Sequence, residues 1–249
     1  MAAVRDLQAF LRTSAGHGRA VLRVPPFTVT IHPHDPLRYV NYAIPDDGAR
    51  PDESSIAALR DAFRRHDRLP RLEWVEEAAP GVAEALAAAG MVQELRTPLM
   101  ACTPEELVEV DAAVDGLTVA AVGDADLRDC ARVQRAAFGE PPLPGDEAPG
   151  DPRRRGGGAV LARVDGTPVA AAAWTAVVDG TSEVAGVGTL AAWRRRGLAG
   201  VVTAAAARAA FAAGARLCVL SPGDATAQRV YARAGFRRTA TMLHWSDSD

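Results

Sequence analysis

The sequence of 249 residues contains no lysine, so its 28 basic residues are all arginines. With 31 acidic residues the formal net charge is −3, which argues against a protein that binds nucleic acid through a broad basic surface. The arginine runs at 153–155 and 194–196 are short and local. The absence of lysine, together with abundant alanine, indicates codon bias in a GC-rich genome rather than a function.

The sequence also has few cysteines, and they are widely separated: Cys102, Cys130 and Cys218. An odd number with these spacings forms neither a metal-binding pattern nor a disulfide framework, so a reducing compartment is expected. His32 and His34 could share one side of a strand, but no third ligand accompanies them. No metal site is therefore predicted.

Long apolar runs are missing too. No stretch reaches the roughly 18 apolar residues that a membrane-spanning helix needs, and the N-terminus lacks a basic-then-apolar signal. Hydrophobic residues make up 48% and charged residues 24%, as in ordinary globular proteins. The length suits one large domain or two small ones, without a membrane or nucleic-acid partner, and the expected location is cytoplasmic.

Two segments share one spacing: Leu72 to Gly90 and Leu217 to Gly235 are both 18 residues apart. Each reads as strand, helix, glycine and strand, because a glycine just past a helix supplies its left-handed C-terminal cap. The sequence therefore predicts a duplicated αβ module. A boundary near residue 113 gives two domains, 1–112 and 113–249.

The C-terminal half alternates predicted strands with helices. Asp-Gly pairs at 165–166 and 179–180 indicate tight turns between strands, and Thr103 indicates the start of a helix. Residues 139–158, rich in proline, glycine and charge, are typical of a surface loop. The remaining predicted elements are strands at 118–122, 159–164, 169–178 and 183–190 and helices at 55–66, 127–138 and 198–213. The fold class is α/β, with a mixed, mostly antiparallel sheet and flanking helices.

The segment from Arg194 to Gly200 leads directly from a predicted strand into an alanine-rich helix. The first amides of a helix lack intrahelical partners, and the helix dipole adds positive potential, so such a junction can bind an anion. Glycine at 197 and small residues at 199 and 200 allow phosphate oxygens to approach the backbone. The pattern is neither a P-loop nor a Rossmann fingerprint. The alternative is a solvated arginine turn that happens to open a helix.

Two motifs make the chain resemble the GCN5-related N-acetyltransferase (GNAT) superfamily. That family's pyrophosphate motif, Gln/Arg-x-x-Gly-x-Gly/Ala, fits residues 194–199. The family's downstream motif, Asn-x-x-Ala-x-x-x-Tyr-x-x-x-Gly-Phe, is matched by Asp224, Ala227, Tyr231, Gly235 and Phe236, with only the Asn replaced. The resemblance covers about residues 117–245. It implies a GNAT-like acyl-CoA N-acyltransferase fold, with a complete C-terminal copy and a partial, degenerate N-terminal copy.

The resemblance implies acetyl-CoA as co-substrate, with its pantetheine arm along strand 183–190. The residues that it assigns to this ligand are Val187, Gly188, Thr189, Arg194, Arg195, Arg196, Gly197, Leu198, Ala199, Gly200 and Asp224. An ionised Asp224 cannot donate the hydrogen bond that an Asn offers, which puts its contact in doubt. In the N-terminal copy the acidic run 46–53 precedes the corresponding helix and should repel a pyrophosphate.

Two residues are candidates for proton transfer. Glu183 stands 11 residues before Arg194, as the general-base glutamate of the histone-acetyltransferase branch does, and about 20 Å of strand would separate it from the phosphate end. Tyr231 matches the family's general acid for the departing thiolate. The alternatives are a solvent-facing carboxylate at a strand edge and an aromatic side chain that fills the helix–sheet interface.

The expected function is direct transfer of an acetyl group from acetyl-CoA to a primary amine, without a covalent enzyme intermediate and without a metal. A small-molecule acceptor is favoured. One alternative is a non-catalytic acyl-CoA-binding sensor or structural module. Another is a tandem acetyltransferase for thiol-sugar amines or antibiotics, in which the acidic N-terminal copy attracts a cationic substrate. The acceptor and the oligomeric state are not readable from the residues.

Overall fold

The computed structural model describes residues 2–145 and 147–248. Its internal contacts group the chain into two compact units, the first formed by Met1–Leu99 with Thr239–Asp249 and the second by Met100–Arg238. This division differs from the predicted boundary at 112/113 because two strands, 92–102 and 237–246, each run past a unit boundary. The assignment of each half to one copy of a duplicated module stays a prediction.

The first unit contains a helix at its start and a sheet flanked by two further helices. Its elements are α1 (Ala2–Ala15), β1 (Ala20–Val24), β2 (Phe27–Ile31), β3 (Tyr42–Pro45), α2 (Glu53–Arg64), β4 (Arg71–Val75), α3 (Val82–Ala88) and most of β5 (Val92–Cys102). Strands β1, β2 and β3 pair antiparallel, and β3 pairs parallel with β4. His32 follows β2 and its Nδ1 accepts the N–H of Asp35 at 2.9 Å, so this histidine caps a turn rather than facing from a strand.

The second unit carries the sequence motifs. Its elements are β6 (Leu117–Ala121), α4 (Leu127–Phe138), β7 (Gly158–Val164), β8 (Thr167–Trp174), β9 (Thr181–Thr189), α5 (Leu198–Ala212), β10 (Leu217–Leu220), α6 (Ala225–Arg233) and the start of β11 (Arg237–Ser246). Strands β6 to β9 pair antiparallel, and β9 pairs parallel with β10. The predicted mixed, mostly antiparallel sheet is confirmed, and its strands and helices lie within a few residues of their predicted positions.

The two units repeat one order of elements. In each, an antiparallel meander leads through a helix (α2 or α5) to a parallel strand, and a second helix (α3 or α6) ends at a glycine of positive φ, Gly90 or Gly235. The strand that then completes each sheet is antiparallel: residues 242–246 of β11 pair with β4, and residues 100–102 of β5 pair with β10. The predicted strand–helix–glycine–strand repeat is therefore present in both units.

Alternate side chains of β7 pack against different helices, one on each face of the second unit's sheet. Ala159 and Leu161 pack with Val133 of α4, whereas Val160 and Ala162 belong to the core beneath α5. Successive side chains of a strand point to opposite faces, which explains the split. The buried alanines of α5 leave no bulky side chain between this helix and the sheet, so the helix can approach the strands closely.

Residues 103–107 were predicted to begin a helix but form a single turn. The N–H groups of Glu106 and Leu107 both donate to Thr103 O at 3.2 Å, and Glu106 Oε2 accepts the N–H of Thr103 at 3.1 Å. The Glu106 carboxylate binds the main chain of Thr103, but no helix propagates, because Val108 donates its N–H to Ala234 O at 3.1 Å. Residues 103–114, the strap, then continue without regular structure up to β6.

Across residues 2–145 and 147–248, no helix has both the length and the apolar character needed to cross a bilayer. The same residues contain no group of three His, Cys, Asp or Glu side chains placed to hold a metal ion.

Candidate cofactor and catalytic site

In the second unit, strand β9 is paired with β10 over its first residues only, so the rest of that edge is unpaired. Strand β9 pairs with β10 over residues 181–183 only, whereas its pairing with β8 continues to Thr189. From Val184 onward, the edge of β9 on the β10 side has no strand partner among the pairings of the described residues. Main-chain groups on such an edge are available to an extended ligand, which would add to the sheet as another strand does.

The main-chain groups of β9 alternate between its two edges. Leu190 donates its N–H to a β8 carbonyl at 3.0 Å, and Gly188 lies two residues earlier in the same ladder. Gly188 therefore directs its N–H and C=O toward β8, whereas Val187 and Thr189 direct theirs toward the open edge. The carbonyl of Thr189 accepts a hydrogen bond from Arg194 Nε at 3.2 Å. Of the three predicted pantetheine contacts, Val187 and Thr189 thus lie at the open edge and Gly188 does not.

The glycines of β9 are required by the helix above them. The β8–β9 register shifts at a bulge where Gly186 has φ +60°, and Gln134 Nε2 donates to its carbonyl at 2.9 Å. A Cβ at Gly186 would lie 2.3 Å from Gln134 Nε2, and one at Gly188 would lie 2.8 Å from Ala137 Cβ. These contacts with α4 account for glycine at both positions.

The turn before α5 is open at its arginines. Residues Arg194 to Gly197 are exposed, and Arg195 (φ +63°) and Gly197 (φ +87°) both adopt the left-handed conformation. Val201 donates the first helical hydrogen bond, to Gly197 O, and no side chain caps the helix. The N–H groups of residues 198–200 thus precede the first intrahelical donor, where an anion finds both donors and the positive end of the helix dipole.

The three arginines of the turn have different surroundings. Arg194 donates to Thr189 O and, through Nη2, to Ala137 O at 3.0 Å, so it ties β9 to the end of α4. The Arg196 guanidinium lies 4.8 Å from the centre of the Trp193 ring. Arg195 has no ion pair or hydrogen-bond partner within the part of the chain that the structure describes. Its charge is the one most available to a ligand.

The underside of the turn rests on the strap. A Cβ at Gly197 would lie 3.0 Å from Asp111 O, and one at Gly200 would lie 2.8 Å from Val110 Cγ1. Leu198 is buried in the core beneath α5. Small residues here had been interpreted as room for phosphate oxygens, but Gly200 is small because Val110 packs on it. The exposed turn itself is not covered by this contact.

Helix α6 carries the second motif. Asp224 is its N-cap, and its Oδ1 accepts the N–H of Ala227 at 2.7 Å, which accounts for an acidic residue at a position where the family commonly has Asn. Tyr231, two residues before the end of α6, is half-buried against the core beneath α5. Burial raises the pKa of the Tyr231 phenol, and the nearby charge of Asp224 raises it further.

Glu183 lies where β9 and β10 separate. Its neighbour Val184 is buried in the core beneath α5, so the Glu183 side chain lies on the α4 face, partly exposed. Thr175 makes two hydrogen bonds to the main chain of Glu183. Thr175 Oγ1 accepts the Glu183 N–H at 2.9 Å, and the Thr175 N–H donates to Glu183 O at 2.9 Å. Glu183 and Tyr231 thus lie on opposite faces of the sheet.

A cavity of about 380 Å³ adjoins this strand on the α4 face. Gly186 forms part of its wall, with side chains from α4 and from the loop at 140–150. Volumes of this order hold small molecules rather than protein segments.

The corresponding helix of the first unit differs at its start. The carboxylate of Asp52 caps α2 by accepting the N–H of Ser55 at 2.8 Å, together with the hydroxyls of Ser54 and Ser55. These hydrogen bonds lower the pKa of Asp52 to about 2, so the group is anionic near neutral pH. A negative charge thus occupies one of the main-chain donors that a pyrophosphate would use. The predicted lack of a cofactor site in this unit stays a prediction, and the cap supports it.

Comparison with known proteins identifies the fold. Residues 127–236 match the model of the acetyltransferase (GNAT) family. A GCN5-related N-acetyltransferase from Kribbella flavida is 34% identical, with a TM-score of 0.85 over 99% of this chain and 96% of its own. The chain belongs to the GCN5-related N-acetyltransferase family. The suspected resemblance is confirmed, and family membership supports an N-acetyltransferase-type enzyme.

More distant GNAT structures share the fold alone. A GCN5-related N-acetyltransferase from Sphaerobacter thermophilus is 18% identical, with a TM-score of 0.62 over 89% of this chain and 76% of its own. A tandem GNAT protein from the clavulanic acid biosynthesis pathway is 16% identical, with a TM-score of 0.61 over 90% and 79% of the two chains. No curated protein matches this GNAT chain significantly.

Several residues that shape this GNAT site were not predicted. Gln134 holds the bulge, Thr175 positions Glu183, and Val110 and Asp111 of the strap support the arginine turn. A glutamine within an otherwise apolar helix face was the one signal for Gln134. The strap offered none, because its contacts join segments some 90 residues apart in the chain.

Proposed function

We propose that this GNAT chain transfers an acetyl group from acetyl-CoA to a primary amine by direct attack. The observation that carries the proposal is the uncapped start of α5, behind an exposed arginine turn and beside the open edge of β9. Main-chain groups that can bind a pantetheine amide, at the open edge of β9, are thus followed closely in sequence by main-chain N–H groups that can bind a diphosphate, at the start of α5. Bound acetyl-CoA supplies a thioester carbonyl, which the open edge would hold near Glu183.

The residues of the site divide the binding and proton-transfer steps among them. The amides at the start of α5, with Arg195 and Arg196, bind the diphosphate, and Val187 and Thr189 bind the pantetheine arm. Glu183 accepts a proton from the attacking ammonium, directly or through water, because only a neutral amine has a free electron pair. Tyr231 donates its phenolic proton to the departing thiolate. The N–H of Val187 stabilises the negative charge on the carbonyl oxygen.

The two proton transfers would take place on opposite faces of the sheet. Glu183 lies on the α4 face, as does the cavity at Gly186, whereas Tyr231 packs on the α5 face. An amine arriving from the α4 face would lose its proton on that side while the thiolate gains one on the other. Because the pKa of Tyr231 is raised, the phenol stays protonated throughout the neutral and mildly alkaline range and can act as the acid.

Replacing both Arg195 and Arg196 with alanine should weaken acetyl-CoA binding about ten-fold. Exposed charge-assisted contacts each contribute on the order of 1 kcal/mol or less, so two together give an effect of this size. Titration calorimetry at low and high salt measures it, and the difference should shrink as salt rises. The matched control replaces Arg154 and Arg155, which form another exposed run with the same charge. Equal losses in both double variants would assign the effect to net charge alone.

The three cysteine thiols should not react in the native protein at pH 8. Burial raises the pKa of Cys102 and of Cys218 to about 12 and that of Cys130 to about 11, so the nucleophilic thiolate is scarce. Titration with dithiobis(nitrobenzoic acid) should detect no rapid thiol in the native state and all three in guanidinium. A single fast native thiol would instead favour an acetyl-cysteine intermediate and contradict direct transfer.

A further inference from the structure

The cavity on the α4 face has a composition that selects its ligand. The residues of α4 that line it recur at i, i+3, i+4 and i+7, so they form one helix face: Ala131, Gln134, Arg135 and Phe138. The opposite wall is formed by residues 140, 143, 147, 148 and 150 of the loop that follows α4. Arg128 donates hydrogen bonds to three main-chain oxygens of this loop, at Pro144, Gly145 and Glu147. The cavity is thus built by a helix and a tethered loop.

The apolar part of the lining is unusually accessible. Phe138 is 58% exposed although it ends an amphipathic helix, and Leu143 of the loop stands half-buried at the same cavity. An aromatic ring left in water at a cavity wall gains most from a ligand that covers it. The lining therefore favours a ligand with an aromatic or branched alkyl body.

The charged part of the lining favours a cation. Arg135 is already engaged, since its Nε donates to Pro141 O at 2.6 Å and its Nη1 lies 3.5 Å from Glu140 Oε2. Glu147 also lines the cavity, and its carboxylate has no ion-pair partner in the described parts of the chain. Among the described lining residues, negative charge is thus left uncompensated. An ammonium ligand is attracted, and a ligand with its own carboxylate is repelled.

The cavity lies on the same face of the sheet as the proposed general base, Glu183. Gly186, which lines it, is three residues from Glu183 on β9, or about 10 Å along the strand. Both lie on the α4 face, because Gln134 of α4 contacts Gly186 and the Glu183 side chain points away from the core beneath α5. A ligand whose body fills the cavity can therefore extend a short arm toward Glu183.

We propose that this cavity is the acceptor site and that it selects small apolar primary amines, of the arylalkylamine type, against amines that carry a carboxylate. This inference rests on the proposed acetyl transfer. Phe138 and Leu143 bind the apolar body, Glu147 attracts the ammonium as it enters, and Glu183 takes its proton. The new N–C bond forms as the thioester C–S bond breaks, and the thiolate receives a proton from Tyr231.

The test compares three acceptors. Phenethylamine has the preferred aromatic body and an ammonium, phenylalanine adds a carboxylate to the same body, and glucosamine keeps the ammonium without the aromatic body. With saturating acetyl-CoA, kcat/KM for phenethylamine should exceed that for each of the others at least ten-fold, roughly the discrimination that one unmatched group gives. Phe138→Ala should raise KM for phenethylamine about ten-fold and leave the Kd of acetyl-CoA unchanged. Glu147→Gln should reduce the preference for phenethylamine over phenylalanine several-fold.

Controls outside the cavity separate this inference from the proposed function. Leu37→Ala removes another exposed apolar side chain and Glu84→Gln another exposed carboxylate, both in the first unit; neither should change the acceptor preference. Equal or better kcat/KM for phenylalanine or glucosamine, or an unchanged KM in Phe138→Ala, overturns the acceptor assignment and leaves acetyl transfer intact. Binding of acetyl-CoA without transfer to any amine of a broad panel overturns both.

Discussion

Glu183→Gln should lower kcat about 100-fold, and Tyr231→Phe should lower it by at least ten-fold, because each removes one partner of a proton transfer. Glutamine keeps the size and hydrogen-bonding of the side chain but cannot take a proton near neutral pH. The Kd of acetyl-CoA should not change in either variant, since neither residue belongs to the arginine turn. Initial rates with saturating amine, together with calorimetric Kd values, provide the measurement.

The pH dependence of the variants distinguishes chemistry from packing. The rate of Glu183→Gln should recover with rising pH, because free hydroxide and the deprotonated fraction of the amine replace the missing base. The wild-type enzyme should keep a plateau in the mildly alkaline range, because the pKa of Tyr231 is raised by burial and the phenol is still protonated there. Glu84→Gln, which changes an exposed carboxylate of the first unit, serves as the control.

Retention of full turnover by both variants would remove Glu183 and Tyr231 from the mechanism. Tight acetyl-CoA binding without turnover in the wild-type protein would favour the other class, a sensor or structural module that uses the arginine turn alone. The two functions share one ligand site and differ only in the proton-transfer groups. Binding data by themselves therefore do not separate them.

Gly235→Ala should destabilise the second unit far more than Gly214→Ala. Both glycines follow a helix with nearly the same φ, +100° and +101°, so an L-residue pays about 1–2 kcal/mol of backbone strain at either position. At Gly214 a Cβ meets no atom within 4 Å, whereas at Gly235 it would lie 2.0 Å from Glu106 O. The strap must move in that variant, which adds about 1–3 kcal/mol or more.

Thermal unfolding of the two variants measures this difference. For a unit of this size about 1 kcal/mol corresponds to roughly 2–4 °C in Tm, so Gly235→Ala should melt several degrees below Gly214→Ala. Because the strap also supports Gly197 and Gly200, acetyl-CoA affinity should fall in Gly235→Ala and not in Gly214→Ala. Equal Tm losses would mean that the strap yields freely and does not stabilise the turn.

Local sequence signals predicted the elements around the site well. The Asp-Gly turns do separate strands: Asp165, Gly166, Asp179 and Gly180 all adopt positive φ. Helices α4 and α5 begin at the predicted residues, 127 and 198. These features depend on interactions within a few residues, namely side-chain periodicity, turn conformation and capping, so the order of residues suffices to predict them. The failed helix at Thr103 shows the limit: its first turn formed, but the next amide, that of Val108, donates to the distant carbonyl of Ala234.

The reasons for particular residues depended on contacts distant in sequence. Glycine is needed at 186 and 188 because Gln134 and Ala137, some 50 residues earlier, lie too close for a Cβ. The separation of β9 from β10 after residue 183 is likewise a property of the assembled sheet.

The sequence by itself determined the family, the mixed sheet with its flanking helices, and the arginine turn at the head of α5, because motif spacing and hydrophobic periodicity are written along the chain. Only the tertiary structure decided that β5 and β11 end by pairing with β10 and β4, that the strap supports the turn, and that a cavity adjoins β9 at Gly186. Pairing partners and cavities arise from packing between segments far apart in sequence, where many registers satisfy the same local pattern and only the assembled core selects one.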